Sequence, residues 1–286
     1  MALQVTPSGQ ICGATLRGVD LTRPLDEGTV AEIRAAWLEH HVVAFPDQAM
    51  SDDDLERFTG YFGPFGEDPF IEAIPGREHI IAVHRAADET APIFAEAWHT
   101  DWSFQEQPPS ATCLLGLVIP DEGGDTLFAD QHAALDQMPD DLRRRIDGKV
   151  AIHSARVAYG RDGVYGEVER NTVRAMRIIY SDDAEATQAH PLVRVHPETG
   201  RPALFGCLGY ISAIEGMDAE AGGELLFDLY RWQTRPEFRY RHRWEPDMLV
   251  MWDNRSVLHM ATSGYDGHER LLHRTTIAAT VARPDR

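Results

Sequence analysis

Apolar residues in this chain gather mostly in short clusters bounded by glycine, proline and polar turns, and only in a few places recur at helical spacing. The clearest helical stretch is 26–39, where Val30, Ile33, Ala36 and Trp37 share a face behind an acidic start. Ser51 predicts a second helix. Its hydroxyl suits an N-cap, Asp52, Asp53 and Asp54 favour the positive end of a helix dipole, and Leu55, Phe58 and Phe62 line one side. Further helical patterns cover 133–146 and 219–232. Strand-like runs predominate elsewhere: 4–5 and 13–19 around the turn Pro7-Ser8-Gly9, then 41–45, 79–83, 111–118, 126–129, 150–153, 192–196, 203–205, 238–243, 248–252 and 272–282. The stretch 172–191 follows neither period and reads as a loop or irregular insertion. Many short strands with few helices predict a mainly β fold with flanking helices, of the double-sheet jelly-roll kind. No repeat or linker divides the chain, so one domain over 1–286 is expected.

Composition narrows the function. Of 286 residues, 43% are hydrophobic and 26% charged, which is ordinary for a globular protein. The formal net charge of −19 argues against nucleic acid and anionic membranes as partners, and any anionic substrate needs a local basic site. Three scattered cysteines, Cys12, Cys113 and Cys207, form no disulfide framework and suit a reducing cytoplasm. Residues 1–10 lack the pattern of a signal peptide, and the longest apolar run, 113–120, is too short to span a bilayer. A cytoplasmic location is expected.

The candidate chemistry starts at Trp98-His99-Thr100-Asp101. On an extended segment the alternate residues His99 and Asp101 point the same way and offer one imidazole nitrogen and one carboxylate oxygen to a single ion. His259, following the strand-and-turn sequence Trp252-Asp253-Asn254-Arg255, would complete a two-histidine, one-carboxylate set with one face open. Each piece alone is common: a core histidine, a turn-capping aspartate. Arg270, Leu272 and Arg274 share a strand face, and two guanidinium groups turned inward need anionic partners. Surface arginines are the ordinary alternative. In Gly123-Gly124-Asp125-Thr126 a turn feeds a strand, and Thr126 could offer its hydroxyl to a carboxylate.

Together these features resemble the taurine dioxygenase-like family of iron(II), 2-oxoglutarate-dependent dioxygenases. The likeness runs from Gly13-Ala14-Thr15-Leu16-Arg17-Gly18-Val19-Asp20-Leu21 and Phe62-Gly63, through His99, Asp101 and Thr126, to His196-Pro197-Glu198-Thr199-Gly200, Trp252-Asp253-Asn254-Arg255, His259 and both arginines. It implies a double-stranded β-helix and an iron held by His99, Asp101 and His259. The distal carboxylate of 2-oxoglutarate would lie on Arg270 and Thr126, and Arg274 would meet the acidic group of the substrate. O2 and 2-oxoglutarate are consumed, giving succinate, CO2 and a hydroxylated product. Members often form homo-oligomers, although no segment here is diagnostic.

The taurine pocket is not kept. Taurine-cleaving members carry a histidine and a tyrosine in the loop after Phe-Gly and an asparagine before the first iron histidine. Here those loops read Glu67-Asp68-Pro69-Phe70-Ile71-Glu72 and Phe94-Ala95-Glu96-Ala97, and Ala158 with Tyr159 replaces an expected serine. The expectation is a small organic acid with a hydrophobic body, such as a sulfonate, sulfate ester or aryloxyalkanoate, held by Arg274, Phe70 and Tyr159. Glu67, Asp68 and Glu96 could pair with an amine on the substrate, but a solvated acidic surface is the ordinary reading given the charge of the whole chain. Two alternatives stay open at this point: a non-enzymatic jelly-roll binding protein, and an iron oxygenase of the same triad that uses no keto acid.

Overall fold

The computed structural model describes residues 2–166 and 174–279. In chain order, β1 (Gln4–Pro7), β2 (Ala14–Arg17), α1 (Glu27–His40), β3 (Val42–Phe45), α2 (Asp52–Gly60), β4 (Ile81–Arg85), β5 (Ala111–Val118) and β6 (Thr126–Asp130) form the first half. They are followed by α3 (Gln131–Asp136), α4 (Asp140–Ile146), β7 (Val150–Ser154), α5 (Arg156–Tyr159), β8 (Thr187–Pro191), β9 (Val193–Val195), β10 (Pro202–Leu204) and β11 (Ile211–Ile214). The last elements are α6 (Ala219–Gln233), β12 (Arg239–His242), β13 (Met248–Asp253), β14 (Val257–Ala261) and β15 (Arg270–Ile277).

One seven-stranded sheet, ordered β1-β2-β3-β13-β5-β15-β4, forms the main wall. Alternation along its strands decides what each face covers. Val43, Phe45, Cys113, Leu115, Leu249 and Met251 point outward, into a core closed by Ile33 and Trp37 of α1 and Leu55 and Phe58 of α2. Their neighbours Val42, Ala44, Leu114, Val250, Trp252 and Leu272 point the other way. There they meet Phe128, Tyr240 and Val257, carried by a second sheet ordered β12-β6-β14. Strands β3, β5 and β13 are buried on both faces, which is why they read as continuous apolar runs. Two smaller sheets, β11-β7-β8 and β10-β9, extend the second wall, so the expected jelly roll with helices outside is what the chain forms.

Differences from the sequence reading have local causes. The helix expected over 133–146 is two: Asp130 caps α3 through the backbone N–H groups of His132 (2.9 Å) and Ala133 (3.0 Å), and Pro139 separates it from α4. His41, expected in a strand, closes α1 with φ 63°, giving its N–H to the Trp37 carbonyl at 2.8 Å. Within 172–191, read as a loop, Thr187–Pro191 pairs with β7 as an edge strand. Residues 172–173, and 280–282 of the strand expected over 272–282, lie outside the described residues. Strands β11 and β14 and the short α5 were not expected. Among the described residues, no helix is long and apolar enough to cross a membrane.

Candidate active site

His99 and His259 lie opposite one another as an isolated antiparallel pair. They exchange both backbone hydrogen bonds, His99 N–H to the His259 carbonyl at 3.0 Å and His259 N–H to the His99 carbonyl at 2.8 Å. Residues facing each other in this way project their side chains to the same side, so backbone pairing alone brings the rings together, with centroids 4.2 Å apart. The expected extended His99–Asp101 segment holds only at His99. Asp101 already opens a turn, and Trp102 adopts φ 47°, a region that costs a non-glycine residue about 1–3 kcal/mol.

Asp101 is therefore placed by side chains rather than by strand alternation. Its Oδ2 accepts from Thr112 Oγ1 at 2.6 Å, and Thr112 in turn accepts from Asn254 Nδ2 at 2.9 Å. Asn254 is fixed by Trp252 Nε1 at 3.0 Å, and its carbonyl accepts from Thr100 Oγ1 at 2.7 Å. The Trp252-Asp253-Asn254-Arg255 turn thus positions the carboxylate. Its Asp253 is buried between Arg255 and His196, and Glu198 bonds the same arginine at 2.8 Å. This explains why the 196–200 stretch belongs to the same pattern.

The other oxygen of Asp101, Oδ1, lies 3.7 Å from Nε2 of His99 and 3.7 Å from Nε2 of His259. These distances exceed a hydrogen bond, and one ligand atom from each residue lies within 4.8 Å of the others. Such spacing suits an ion about 2.0–2.2 Å from each donor. His99 Nδ1 faces the Ala97 carbonyl at 2.8 Å, which places the proton there and leaves Nε2 bare. Burial holds the His99 imidazole below its usual range and His259 at about 3, so both are neutral donors. Burial opposes ionisation of Asp101, but Arg274 and the two imidazoles outweigh it and hold the carboxyl at about 2. Two neutral imidazoles and one carboxylate are the donor set of a non-haem iron(II) centre with open positions.

Arg270 is buried on β15, its Nε has no hydrogen-bond partner among the described residues, and burial lowers it to about 10. A Cβ on Gly124 (φ 66°) would sit 3.0 Å from this Nε, so glycine permits both the turn and the close approach. Trp244 links Arg270 to Thr126: the guanidinium carbon is 5.8 Å from the indole centroid, and Nε1 donates to Thr126 Oγ1 at 3.0 Å. A desolvated guanidinium with no carboxylate partner among the described residues fits a dicarboxylate such as 2-oxoglutarate.

Arg274 is different. It is buried on the same face, but Nη1 donates to Asp101 Oδ1 at 3.3 Å and Nη2 to Asp68 Oδ1. Asp68, expected in a solvated acidic surface, is instead turned inward, whereas Glu67 and Glu96 are exposed as expected. Beside the triad lies a cavity of about 160 Å³ lined by Phe94, Trp98, Trp102, Val157, Tyr159, Tyr165, Tyr210 and Arg274. Tyr159 faces this cavity, and Phe70 stacks against it with centroids 4.8 Å apart. Sequence reasoning missed Asp68, Trp102, Thr112 and Trp244, none of which carries a spacing signal.

The family description "Taurine catabolism dioxygenase TauD, TfdA family" matches residues 4–276. The chain is 34% identical over 272 residues to an alkylsulfatase of Acinetobacter baylyi, covering 94% of this chain and 83% of that protein. It is 34% identical to a (S)-phenoxypropionate/alpha-ketoglutarate-dioxygenase of Delftia acidovorans, covering 91% and 89%. The crystal structure of a taurine dioxygenase from Burkholderia xenovorans superposes with a TM-score of 0.80 at 32% identity, covering 98% of this chain and 92% of that one. A match along nearly the whole chain, added to a neutral two-histidine, one-carboxylate cluster, leaves one conclusion: the protein belongs to the TauD/TfdA family and is an iron(II)- and 2-oxoglutarate-dependent dioxygenase.

Proposed function

We propose that His99, Asp101 and His259 hold the iron, that Arg270 and Thr126 anchor the distal carboxylate of 2-oxoglutarate, and that the adjoining cavity presents a C–H bond of a small hydrophobic organic acid for hydroxylation. The observation that carries this is the convergence of three donor atoms within 4.8 Å of one another on a scaffold that also buries Arg270 without a carboxylate partner among the described residues. When bound, the iron supplies O2 activation coupled to conversion of 2-oxoglutarate to succinate and CO2. The protein's own work is placement. Ala97 and Thr112 orient His99 and Asp101, and Arg270 offers a desolvated cation at a fixed site. Tyr159, Tyr210 and Trp102 keep water from the face where the C–H bond must lie.

The substrate class follows the relatives, whose names specify an alkylsulfatase and a phenoxypropionate dioxygenase. Taurine itself is disfavoured, since the loop that would hold its sulfonate carries Asp68 and Phe70 instead. The reading also takes 1–286 as one catalytic domain working in the cytoplasm. The test is succinate release from 2-oxoglutarate, with iron(II) and ascorbate supplied, against alkyl sulfates, sulfonates and aryloxyalkanoates. At least one hydrophobic compound should stimulate succinate release, and His259→Ala should abolish it. Stimulation by taurine alone would contradict the proposal, as would release that survives His259→Ala.

A further inference from the structure

The guanidinium nearest the triad already has its counter-ions. Arg274 is 4% exposed, and two of its nitrogens are committed, Nη1 to Asp101 and Nη2 to Asp68. Asp68 is held as firmly. Its side chain is 8% exposed, and the oxygen that meets Arg274 also accepts from Trp102 Nε1 at 2.8 Å. Trp102 in turn lies under the guanidinium, 5.0 Å from ring centroid to guanidinium carbon, and keeps its left-handed backbone in this arrangement. A divalent ion on the triad would draw on Asp101, and Asp68 alone would still match Arg274 charge for charge.

An incoming substrate anion could reach Arg274 only by displacing Asp68. That would break two buried hydrogen bonds and leave a carboxylate in a low-dielectric site without its cation, at a cost of several kcal/mol. The Nε of Arg274 has no partner among the described residues, but it is wholly buried and presents almost no surface to the cavity. Among the described residues that line the cavity, Phe94, Val157, Tyr159 and Tyr165 form the apolar walls opposite, and Arg274 is the one arginine or lysine.

We propose that Asp68 is a built-in counter-ion that sets specificity: the part of the substrate entering the cavity beside the triad is uncharged. In an organic acid, the charged end then stays away from Arg274, at the cavity mouth. The inference rests on the dioxygenase reading only for the choice of cavity, and its test needs no turnover.

The experiment is calorimetric titration of the iron(II)- and 2-oxoglutarate-loaded protein, kept anaerobic, with phenoxyacetate and with the near-isosteric phenoxyacetamide. The wild type should bind the amide at least as tightly as the acid. In Asp68→Asn the acid should gain about 10-fold or more, while the amide changes by less than about 3-fold. The gain should disappear in Asp68→Asn combined with Arg274→Gln. Two results overturn the proposal: no gain in acid binding when Asp68 is neutralised, or a wild type that prefers the acid about 10-fold and loses that preference in Arg274→Gln. Retained iron and keto-acid loading shows that a variant is folded. If Asp68→Asn does not load, Asp68→Ser takes its place, and the comparison of wild type with Arg274→Gln remains decisive. Failure of the wild type itself to load iron and 2-oxoglutarate would count against the dioxygenase reading, a different result from an acid preference at Arg274.

Discussion

Thr112 shows how much of the site depends on residues that never touch substrate. It is the sole hydroxyl bonded to Asp101 Oδ2 among the described residues, and it passes on the restraint from Asn254 and Trp252. Thr112→Val keeps the β-branched shape but leaves one oxygen of a buried carboxylate unpaired. Iron(II) affinity should fall about 10–100-fold in anaerobic titration, the usual effect of losing a partner behind a metal ligand. Unchanged affinity would mean that Asp101 is held without it. Arg270→Gln removes the cation proposed to meet 2-oxoglutarate. Truncating one partner of a buried charge pair costs about 2 kcal/mol or more, so the KM for 2-oxoglutarate should rise about 30-fold or more. A KM within about twofold of the wild type would place the keto acid elsewhere. At this scale the convergence of His99, Asp101 and His259 and the burial of Arg270 were legible because these residues recur as a pattern in known enzymes. Asp68 was not, since the two groups that hold it inward, Trp102 and Arg274, lie 34 and 206 positions along the chain.

Elements were legible where one face or both had to be buried. Strand β5 was read to the residue because every position from Ala111 to Gly116 is buried, and the start of α2 was legible from its cap Ser51, although Phe62, expected on its face, lies beyond its end at Gly60. The edge strand Thr187–Pro191 escaped because its residues are polar and end in proline, which edge pairing tolerates. The break at Pro139 was visible in the sequence but was outweighed by the helical spacing on either side. Capping gives an element-scale test that should spare the chemistry. Ser51→Ala should cost about 1 kcal/mol and lower Tm by about 2–4 °C, read by calorimetry. Iron(II) affinity should not change, because α2 packs on the outer face of the main sheet, away from the triad. A loss of iron affinity would show that the outer helices position the site.

Across the described residues, several histidines outside the triad are buried and held neutral, His132 and His190 among them. Burial lowers His41 to about 4, and His153 and His242 each to about 3. A base whose folded value is lowered binds more protons when unfolded, so its contribution is complete above about 6.5 and is lost as pH falls from there toward 3–4. The net charge of −19 acts in the opposite sense, since acid relieves surface repulsion. High salt removes that contribution. In concentrated salt, Tm should therefore fall steadily as pH drops below about 6.5. A flat profile down to pH of about 4 would show that these imidazoles take up protons without cost in the fold.

The central claim is tested most directly by anaerobic titration of the purified protein with iron(II) in the presence of 2-oxoglutarate, followed by the visible charge-transfer absorption of an iron(II)–keto-acid chelate. One equivalent of iron per chain should saturate the signal, and His259→Ala and Asp101→Ala should each abolish it. An undiminished signal in either variant, or none in the wild type, would contradict the account.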